Sequence, residues 1–313
     1  MLFDSYGRNL YYLRLSITDR CQFSCSYCRS GETTFLSKEE LLTYEEIERL
    51  IVLFKALGTK KVRITGGEPL VRKDVDKLIS DIHLFGLKTS LTTNGFLLKT
   101  FLPRIKGTLD SINVSLDSVR PGTFEKISGM PGPVVKVVMN SIKYSKEIGI
   151  PTKVNTVVIR ENFSEINELI DFSKSLSVPI RFIEYMPSER EDNSISFDIL
   201  KEKIERTRGL SKIDERFGDG PAQYYITGDN AVVGFIAYSQ PHFCDKCNRL
   251  RITPDGKMRL CLVLGGEIDL KKMLREGMPD KEIKEKIIDF VKLKPFSHGN
   301  YKFINKKMNS IGG

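Results

Sequence analysis

Three cysteines crowd into one eight-residue stretch, Cys21-Gln22-Phe23-Ser24-Cys25-Ser26-Tyr27-Cys28. Spacings of four and then three residues put three sulfurs on one short loop. Cubane iron–sulfur clusters are normally held by four cysteine thiolates, and no further cysteine occurs before Cys244. The loop therefore fits three corners of a [4Fe-4S] cluster, with one iron left for a ligand from outside the chain. A closed zinc loop would ordinarily need a fourth protein ligand, and unrelated buried thiols do not gather this way. The other cysteines, Cys244, Cys247 and Cys261, form a second triad with none left over. Disulfides fit such a chain poorly, because its first residues, Met1-Leu2-Phe3-Asp4-Ser5-Tyr6-Gly7-Arg8, show neither the basic start nor the apolar run of a secretory signal. No stretch reaches the length of a membrane-spanning helix. The expectation is a cytoplasmic protein in a reducing setting.

The rest of the chain alternates. Tyr11 to Ile17 predicts a first strand feeding the cysteine loop. Thr43-Tyr44-Glu45-Glu46 has capping-box spacing, and Ile47, Leu50, Ile51, Phe54 and Leu57 recur behind it at helical period until Gly58. Val62 to Thr65 predicts a strand, Asp74 to Phe85 a helix, and Lys88 to Thr93 and Ser111 to Leu116 two more strands. A helix over 134–148, a strand over 152–159, a helix over 165–176 capped by Ser164 and a strand from Ile180 complete the series. Six strand–helix units imply parallel strands with right-handed crossovers, hence an α/β fold: a partial (β/α)6 barrel with its chemistry at the carboxyl ends of the strands. After a polar stretch over 187–196 the rhythm changes to a helix, a hairpin turning at Gly228-Asp229-Asn230, the second cysteine triad and two further helices. This predicts a barrel over residues 1–190 and a smaller α+β domain over 191–313. The 313 residues suit such a pair, and 40% hydrophobic content can build the core.

Two motifs follow the strands. Gly66-Gly67-Glu68-Pro69 lets backbone approach a ligand closely and offers a carboxylate. In the second triad, Pro254-Asp255-Gly256 is a turn signal that folds Cys261 back toward Cys244 and Cys247. From spacing alone that triad is either a second cluster or a zinc site with His242 as fourth ligand. The net charge of +9 points to an anionic partner, either nucleic acid or a nucleoside triphosphate.

The CxxxCxΦC loop resembles the radical S-adenosylmethionine (SAM) superfamily, whose open iron takes the amino and carboxylate groups of SAM. More specifically, several stretches together resemble the MoaA family, the radical SAM GTP 3′,8-cyclases of molybdenum cofactor biosynthesis. These are Arg14 to Cys21, Arg63 to Leu70, Thr92-Thr93-Asn94-Gly95, Arg181 to Glu184, the second triad and the terminal Gly312-Gly313. The resemblance runs nearly the whole chain in order; Arg29-Ser30 after Cys28 departs from a common Met-Pro. It implies two [4Fe-4S] clusters, one on Cys21, Cys25 and Cys28 and one carried by the C-terminal domain on Cys244, Cys247 and Cys261. It implies SAM contacts at Tyr27, Gly66, Gly67, Glu68, Ser115 and Met186. GTP contacts are implied at Arg14, Lys61, Arg63, Thr92, Lys153, Arg249, Arg251 and the backbone of Leu250. The implied reaction is reductive SAM cleavage, abstraction of the ribose C3′ hydrogen of GTP and closure onto guanine C8, with Gly312 and Gly313 reaching the site.

The implied partners are GTP, a flavodoxin- or ferredoxin-like electron donor and a downstream cyclic pyranopterin monophosphate synthase, with no nucleic acid and no membrane. A homodimer is compatible with the reading. Two rivals differ in class. A peptide-modifying two-cluster enzyme would require additional cluster ligands near the C-terminus, and none remain. A zinc-bearing nucleic-acid module leaves the barrel rhythm unexplained and lacks aromatic stacking motifs.

Overall fold

The computed structural model describes residues 1–28, 34–186, 193–240, 243–299 and 311. Six strands run through its first half: β1 (Tyr12–Ser16), β2 (Lys61–Thr65), β3 (Lys88–Thr93), β4 (Ser111–Ser115), β5 (Thr152–Val158) and β6 (Ile180–Glu184). They lie parallel and in chain order. The crossovers carry α1 (Tyr44–Ala56), α2 (Val75–Leu84), α3 (Leu98–Ile105), α4 (Pro121–Ser128), α5 (Val134–Glu147) and α6 (Ile166–Ser175). The α/β partial barrel expected from the strand–helix rhythm is what the chain forms. Beyond it come α7 (Phe197–Arg208), β7 (Ser211–Ile213), β8 (Gln223–Ile226), β9 (Val232–Ile236), β10 (Arg249–Ile252), β11 (Lys257–Cys261), β12 (Gly265–Asp269), α8 (Leu270–Arg275) and α9 (Asp280–Val291).

Period-two alternation sorts the strand residues between two faces. Leu13, Leu15, Val62, Ile64, Leu91, Ile112, Val114, Val154, Ile180 and Phe182 share one apolar core with helix residues such as Ile47, Phe54, Leu78, Ile82, Leu102, Val138 and Leu169. Each such side chain contributes roughly 1.5–3 kcal/mol by leaving water. The opposite face carries charge. Arg251, Arg14, Arg63 and Ser90 are register partners across β10, β1, β2 and β3. Thr92, Asn113 and Lys153 align across β3, β4 and β5, and Ser115, Asn155, Arg181 and Gly234 across β4, β5, β6 and β9. Lys61, Arg63, Lys153, Arg181 and Arg251 are all buried. The interior of this barrel is therefore polar and basic.

The C-terminal strands extend the barrel sheet instead of forming one of their own. The β8–β9 hairpin forms as expected, and β9 adds parallel to β6. At the other edge β10 adds parallel to β1 and continues through β11 to β12. The sheet curls enough for Lys61 of β2 to reach Asp219, which lies between β7 and β8.

Local signals held in part. Thr43 makes the expected capping box with Glu46, each accepting from the other's backbone N–H. Ser164 does not cap α6. The helix starts at Ile166 after a 3-10 turn over Phe163–Glu165, because Asn162 pins the chain there. Its amide donates to the carbonyls of Asp117 and Val157, and its side-chain oxygen accepts from Ile159 N. Helices α3 and α4 were not anticipated: α3 contains Pro103, and both are only eight residues long. Residues 187–192 of the expected polar loop, Arg29, Ser30, His242, Gly312 and Gly313 lie outside the described residues.

Gly234 faces the interior between Tyr224 and Arg181. A Cβ there would lie 2.7 Å from Tyr224 Cε1 and 3.0 Å from Arg181 Cγ. Gly234→Ala is expected to lower stability by about 1–3 kcal/mol through overpacking, read as a shifted urea midpoint. An unshifted midpoint would mean that the tyrosine and arginine have room to yield.

Candidate functional site

The loop after β1 is held from below by residues that pack only because α4 is there. Ser24 N and Ser26 N donate to the carbonyls of Ser128 and Ile127, both at 2.9 Å. Phe23 meets Phe124 edge-on at 5.8 Å. Gly129, at φ 67°, closes α4 so near that a Cβ would lie 2.3 Å from Ser24 Oγ. Cys21, Cys25 and Cys28 are half-buried, and Cys28 N donates to Cys25 O at 2.9 Å. Burial pushes the Cys25 thiol well up, and nearby Asp117, Cys28 and Cys21 push the same way. The three sulfurs thus share one neighbourhood. Asn94 Nδ2 approaches Cys21 Sγ at 3.6 Å.

Gly66 and Gly67 do allow a close approach, and the neighbour they meet here is the chain itself. Added Cβ atoms would lie 2.6 Å from Thr18 O and 2.5 Å from Arg20 O. Gly67 N and Glu68 N donate to those same carbonyls at 2.7 and 2.8 Å. Glu68 is fully buried and ties three segments together. It accepts from Leu70 N at 3.0 Å, Thr93 Oγ1 at 2.8 Å and Asn94 N at 2.6 Å. Burial pushes its carboxyl up to about 7 against the pull of those donors.

Beside the cysteine loop, Tyr27 donates its hydroxyl to Asp117 Oδ2 at 2.6 Å, and Val157 N donates to Oδ1 at 2.8 Å. Burial raises Asp117 to about 6, less than it would without those two bonds. Tyr27, Asn94, Ser115 and Asp117 surround a cavity of about 30 Å³ next to Cys25. Met186 is half-buried two residues past β6.

The interior cations form a second group. Arg63 donates to the Tyr12 hydroxyl and, at 3.2 Å, to Thr92 Oγ1. Asn113 also donates to Thr92, at 3.3 Å, and its buried Oδ1 has no partner among the described residues. Arg181 donates twice to Asn155 Oδ1, at 2.9 and 2.6 Å. Burial, then Arg181, Arg63 and Lys61, depress Lys153 to about 7. Burial raises the Tyr12 phenol, yet Arg63, Arg14 and Lys61 outweigh it and bring its pKa below the ordinary value. This is a site short of negative charge. Leu250 turns its side chain into the apolar core, leaving its backbone as the part that can meet a ligand.

The second triad lies where β10 begins and β11 ends. The Pro254–Gly256 turn folds the strands antiparallel, Gly256 N donating to Thr253 O at 2.9 Å. Three basic or polar side chains brace it. Arg8 donates to Cys244 O at 2.9 Å and to the carbonyls of Phe296 and Pro295. Buried Lys294 donates to the carbonyls of Leu260 and Arg249. Burial raises the Cys247 thiol, but Arg249 and Lys294 dominate and bring it down to about 6, toward the thiolate that metals bind. His298 places Nδ1 3.0 Å from Cys244 Sγ, while its Nε2 donates to Tyr238 O at 3.1 Å. Among the described residues no three His, Cys, Asp or Glu side chains converge on a single metal-ion position.

The structure brings the sequence-expected residues into three neighbourhoods. Cys21, Cys25, Cys28, Tyr27, Gly66, Gly67, Glu68 and Ser115 gather at the carboxyl ends. Arg14, Lys61, Arg63, Thr92, Lys153 and Arg251 line the interior, and Arg249 borders the second triad. Sequence reasoning missed Asp117, Asn113, Asn155, Arg181, Lys294 and His298 as site residues. The available signal was a polar residue set between apolar ones in a strand, as in Ile180-Arg181-Phe182.

Comparison with known proteins agrees with this geometry. The Radical SAM superfamily matches residues 15–173, and the family described as Molybdenum Cofactor Synthesis C matches residues 178–300. A GTP 3′,8-cyclase of Thermodesulfovibrio yellowstonii is 39% identical over 99% of both chains. A mitochondrial GTP 3′,8-cyclase of Arabidopsis thaliana is 36% identical, over all of this chain and 84% of the relative. In fold, the chain is similar to Streptococcus suis SuiB bound to precursor peptide SuiA, with TM-score 0.67 and 16% identity over 98% of this chain and 70% of that one.

Glu68 gives a pH test of the carboxyl-end architecture. Folding raises its pKa, so the stability it contributes is full below the unfolded value of 4.5 and is lost as pH rises through about 7. Glu68→Gln should remove a pH-dependent loss on the order of 3 kcal/mol across that window. Urea unfolding of wild type and variant from pH 4.5 to 7.5 measures it, and parallel pH profiles would contradict it.

Proposed function

This chain belongs to the radical SAM family of GTP 3′,8-cyclases of molybdenum cofactor biosynthesis, and on that premise we propose that it converts GTP to (8S)-3′,8-cyclo-7,8-dihydroguanosine 5′-triphosphate. The observation that carries the reading is the buried cationic interior below a three-cysteine loop. Such an interior calls for a polyanion, and such a loop suits a cluster with an open iron.

SAM and an iron–sulfur cluster are the cofactors, and together they supply a 5′-deoxyadenosyl radical. Cys21, Cys25 and Cys28 hold the cluster; their shared neighbourhood and half-burial fit three corners of one cage. Tyr27, Gly66, Gly67, Glu68, Ser115 and Met186 form the SAM pocket. Glu68 shapes that pocket by fixing the 66–70 and 93–95 segments, and the Tyr27–Asp117 bond fixes the ring beside Cys25. Arg14, Lys61, Arg63, Lys153, Arg249 and Arg251 bind the triphosphate of GTP, where guanidinium forks match phosphate oxygens. Thr92 and the Leu250 backbone complete the GTP site, and Asn113 Oδ1 offers a buried acceptor for a substrate hydroxyl or amine. An enclosed interior also protects a radical from side reactions. We assign the barrel to residues 1–190 and the second cluster and substrate-binding part to 191–313. The electron donor is flavodoxin- or ferredoxin-like, the product passes to cyclic pyranopterin monophosphate synthase, the setting is cytoplasmic, and a homodimer is compatible with these roles. Among the described residues no helix is long and apolar enough to cross a membrane.

For Cys244, Cys247 and Cys261 the proposal is a second [4Fe-4S] cluster. The Cys247 environment favours thiolate, the form in which cysteine holds such a cluster. One observation favours a second reading: His298, not foreseen from the sequence, stands against Cys244 with its far nitrogen on a carbonyl, as zinc-bound histidines often do.

Three measurements test these assignments. Replacing Cys21, Cys25 or Cys28 by Ala should abolish reductive SAM cleavage while leaving the protein folded. Survival of cleavage in all three variants would remove the radical SAM assignment. Protein prepared without oxygen should carry about eight irons, from two four-iron cubanes, and His298→Ala should leave that number unchanged. About four irons with one zinc that His298→Ala releases would instead establish the zinc site. Arg63→Ala, Arg249→Ala and Arg251→Ala should each weaken equilibrium GTP binding by roughly 1.5–3 kcal/mol, as expected for charge-assisted contacts. Unchanged affinity across the three would show the triphosphate to lie elsewhere.

A further inference from the structure

A cavity of about 650 Å³ opens where β3, β4 and β5 begin, at the end of the barrel opposite the cysteine loop of 21–28. Lys61 and Lys153 line it and are buried, while Lys88 and Lys146 line it and are exposed. The lysines therefore run from the solvent-facing rim to Lys61 on β2, the strand that also carries Arg63 inside the barrel. Two carboxylates also line the mouth: Asp110, whose Oδ2 accepts from Thr89 N at 2.6 Å, and Asp219. Asp219 takes the Lys61 ammonium at 2.8 Å and the Tyr11 hydroxyl at 3.5 Å, and its carbonyl accepts from Asn248 Nδ2 at 3.2 Å. Its neighbour Phe217 packs against Tyr224 with the ring centres 4.9 Å apart and the rings tilted, and the 217–219 segment lines the opening. Burial would raise the Asp219 carboxyl, but Lys61 first and then Lys88 and Tyr11 hold it below its ordinary value. The other end of the barrel carries the buried carboxyl groups of Glu68 and Asp117 and offers no comparable row of lysines among the residues around its small cavity.

We propose that this amino-terminal mouth is the port by which the polyphosphate of a nucleoside triphosphate reaches the barrel interior. Lys88 and Lys146 recruit the anion at the rim, and Asp219 occupies Lys61 until phosphate replaces it. The inference rests on the interior triphosphate site argued above and adds the route and two rim residues. A low-dielectric funnel lined by one sign of charge concentrates counter-charged ligands and speeds their capture, an effect that fades with salt. Displacing Asp219 exchanges one anion for another at Lys61, so the buried ammonium is never left alone.

The test uses the reconstituted holoenzyme, with GTP association followed by stopped-flow tyrosine fluorescence at several ionic strengths. The double substitution Lys88→Glu and Lys146→Glu should slow association about tenfold at low salt and flatten its salt dependence. The double substitution Lys281→Glu and Lys286→Glu, an equal charge change at exposed positions of α9, should leave association alone. Asp219→Asn should tighten GTP binding several-fold, since Lys61 no longer has to be released. Inorganic tripolyphosphate should compete with GTP on the wild type and compete less well on the rim double variant. Wild-type association in the rim variant, or weaker GTP binding in Asp219→Asn, overturns the port while leaving the interior site intact. If Arg63→Ala also fails to weaken GTP binding, the interior site itself falls and the port with it.

Discussion

Everything in this barrel is arranged around cations held out of water. Arg14, Arg63 and Arg251 stand in register on neighbouring strands, with Lys61, Lys153 and Arg181 buried on the same concave face. Removing such groups from water is costly unless they are paired or hydrogen-bonded. The chain supplies partial compensation. Arg63 finds Tyr12 and Thr92, Arg181 finds Asn155, and Lys61 finds Asp219. The apolar face carries the stability that the charged face does not, which explains why one continuous core unites the strands with every crossover helix. A polyanion bound to the interior would complete the pairing. It would also stabilise the fold by mass action, because the unfolded chain offers no such site.

The same physics separates the two ends. At the carboxyl ends the buried charges are carboxylates, and each is spent on backbone geometry. Glu68 gathers the 70, 93 and 94 segments, while Asp117 holds Tyr27 and Val157. Carboxylates at one end and ammonium and guanidinium groups below them give the interior an electrical polarity. A sulfonium-bearing cofactor is favoured toward the first end and a polyphosphate toward the second.

Much of this was legible in the sequence because its signals are local or periodic. The cysteine spacing, the Thr43–Glu46 capping box, the strand–helix rhythm and the Pro254–Gly256 turn each depend on residues close in the chain. What escaped depends on residues far apart. His298 meets Cys244 across 54 positions and Arg8 reaches the Cys244 carbonyl across 236, separations that no spacing rule anticipates. Ser164 looked like a cap by type, yet Asn162 had already fixed the chain through carbonyls on β5 and the loop after β4. Helix α4 was overlooked because Pro121, Gly122 and Thr123 weaken its pattern, although it is what the cysteine loop rests on.

The continuity of the sheet bears on how the two parts of the chain depend on each other. Without residues beyond about 190, β1 and β6 would both be open edges of a parallel sheet, presenting rows of unpaired N–H and C=O groups. The later strands cover both, β10 on β1 and β9 on β6. Arg8 fastens the first residues to the carbonyls of Pro295 and Phe296, and Arg275 of α8 pairs with Glu46 of α1 at 2.7 Å. Of the second triad, Cys261 ends β11, and Cys244 and Cys247 lie in the turn that leads into β10, so strands of the same sheet flank it. Its position relative to the interior cations is set by backbone hydrogen bonds of one sheet, which is a far stiffer constraint than a linker between two independent bodies. A reaction that needs two ends of one small substrate held at once requires a constraint of that kind.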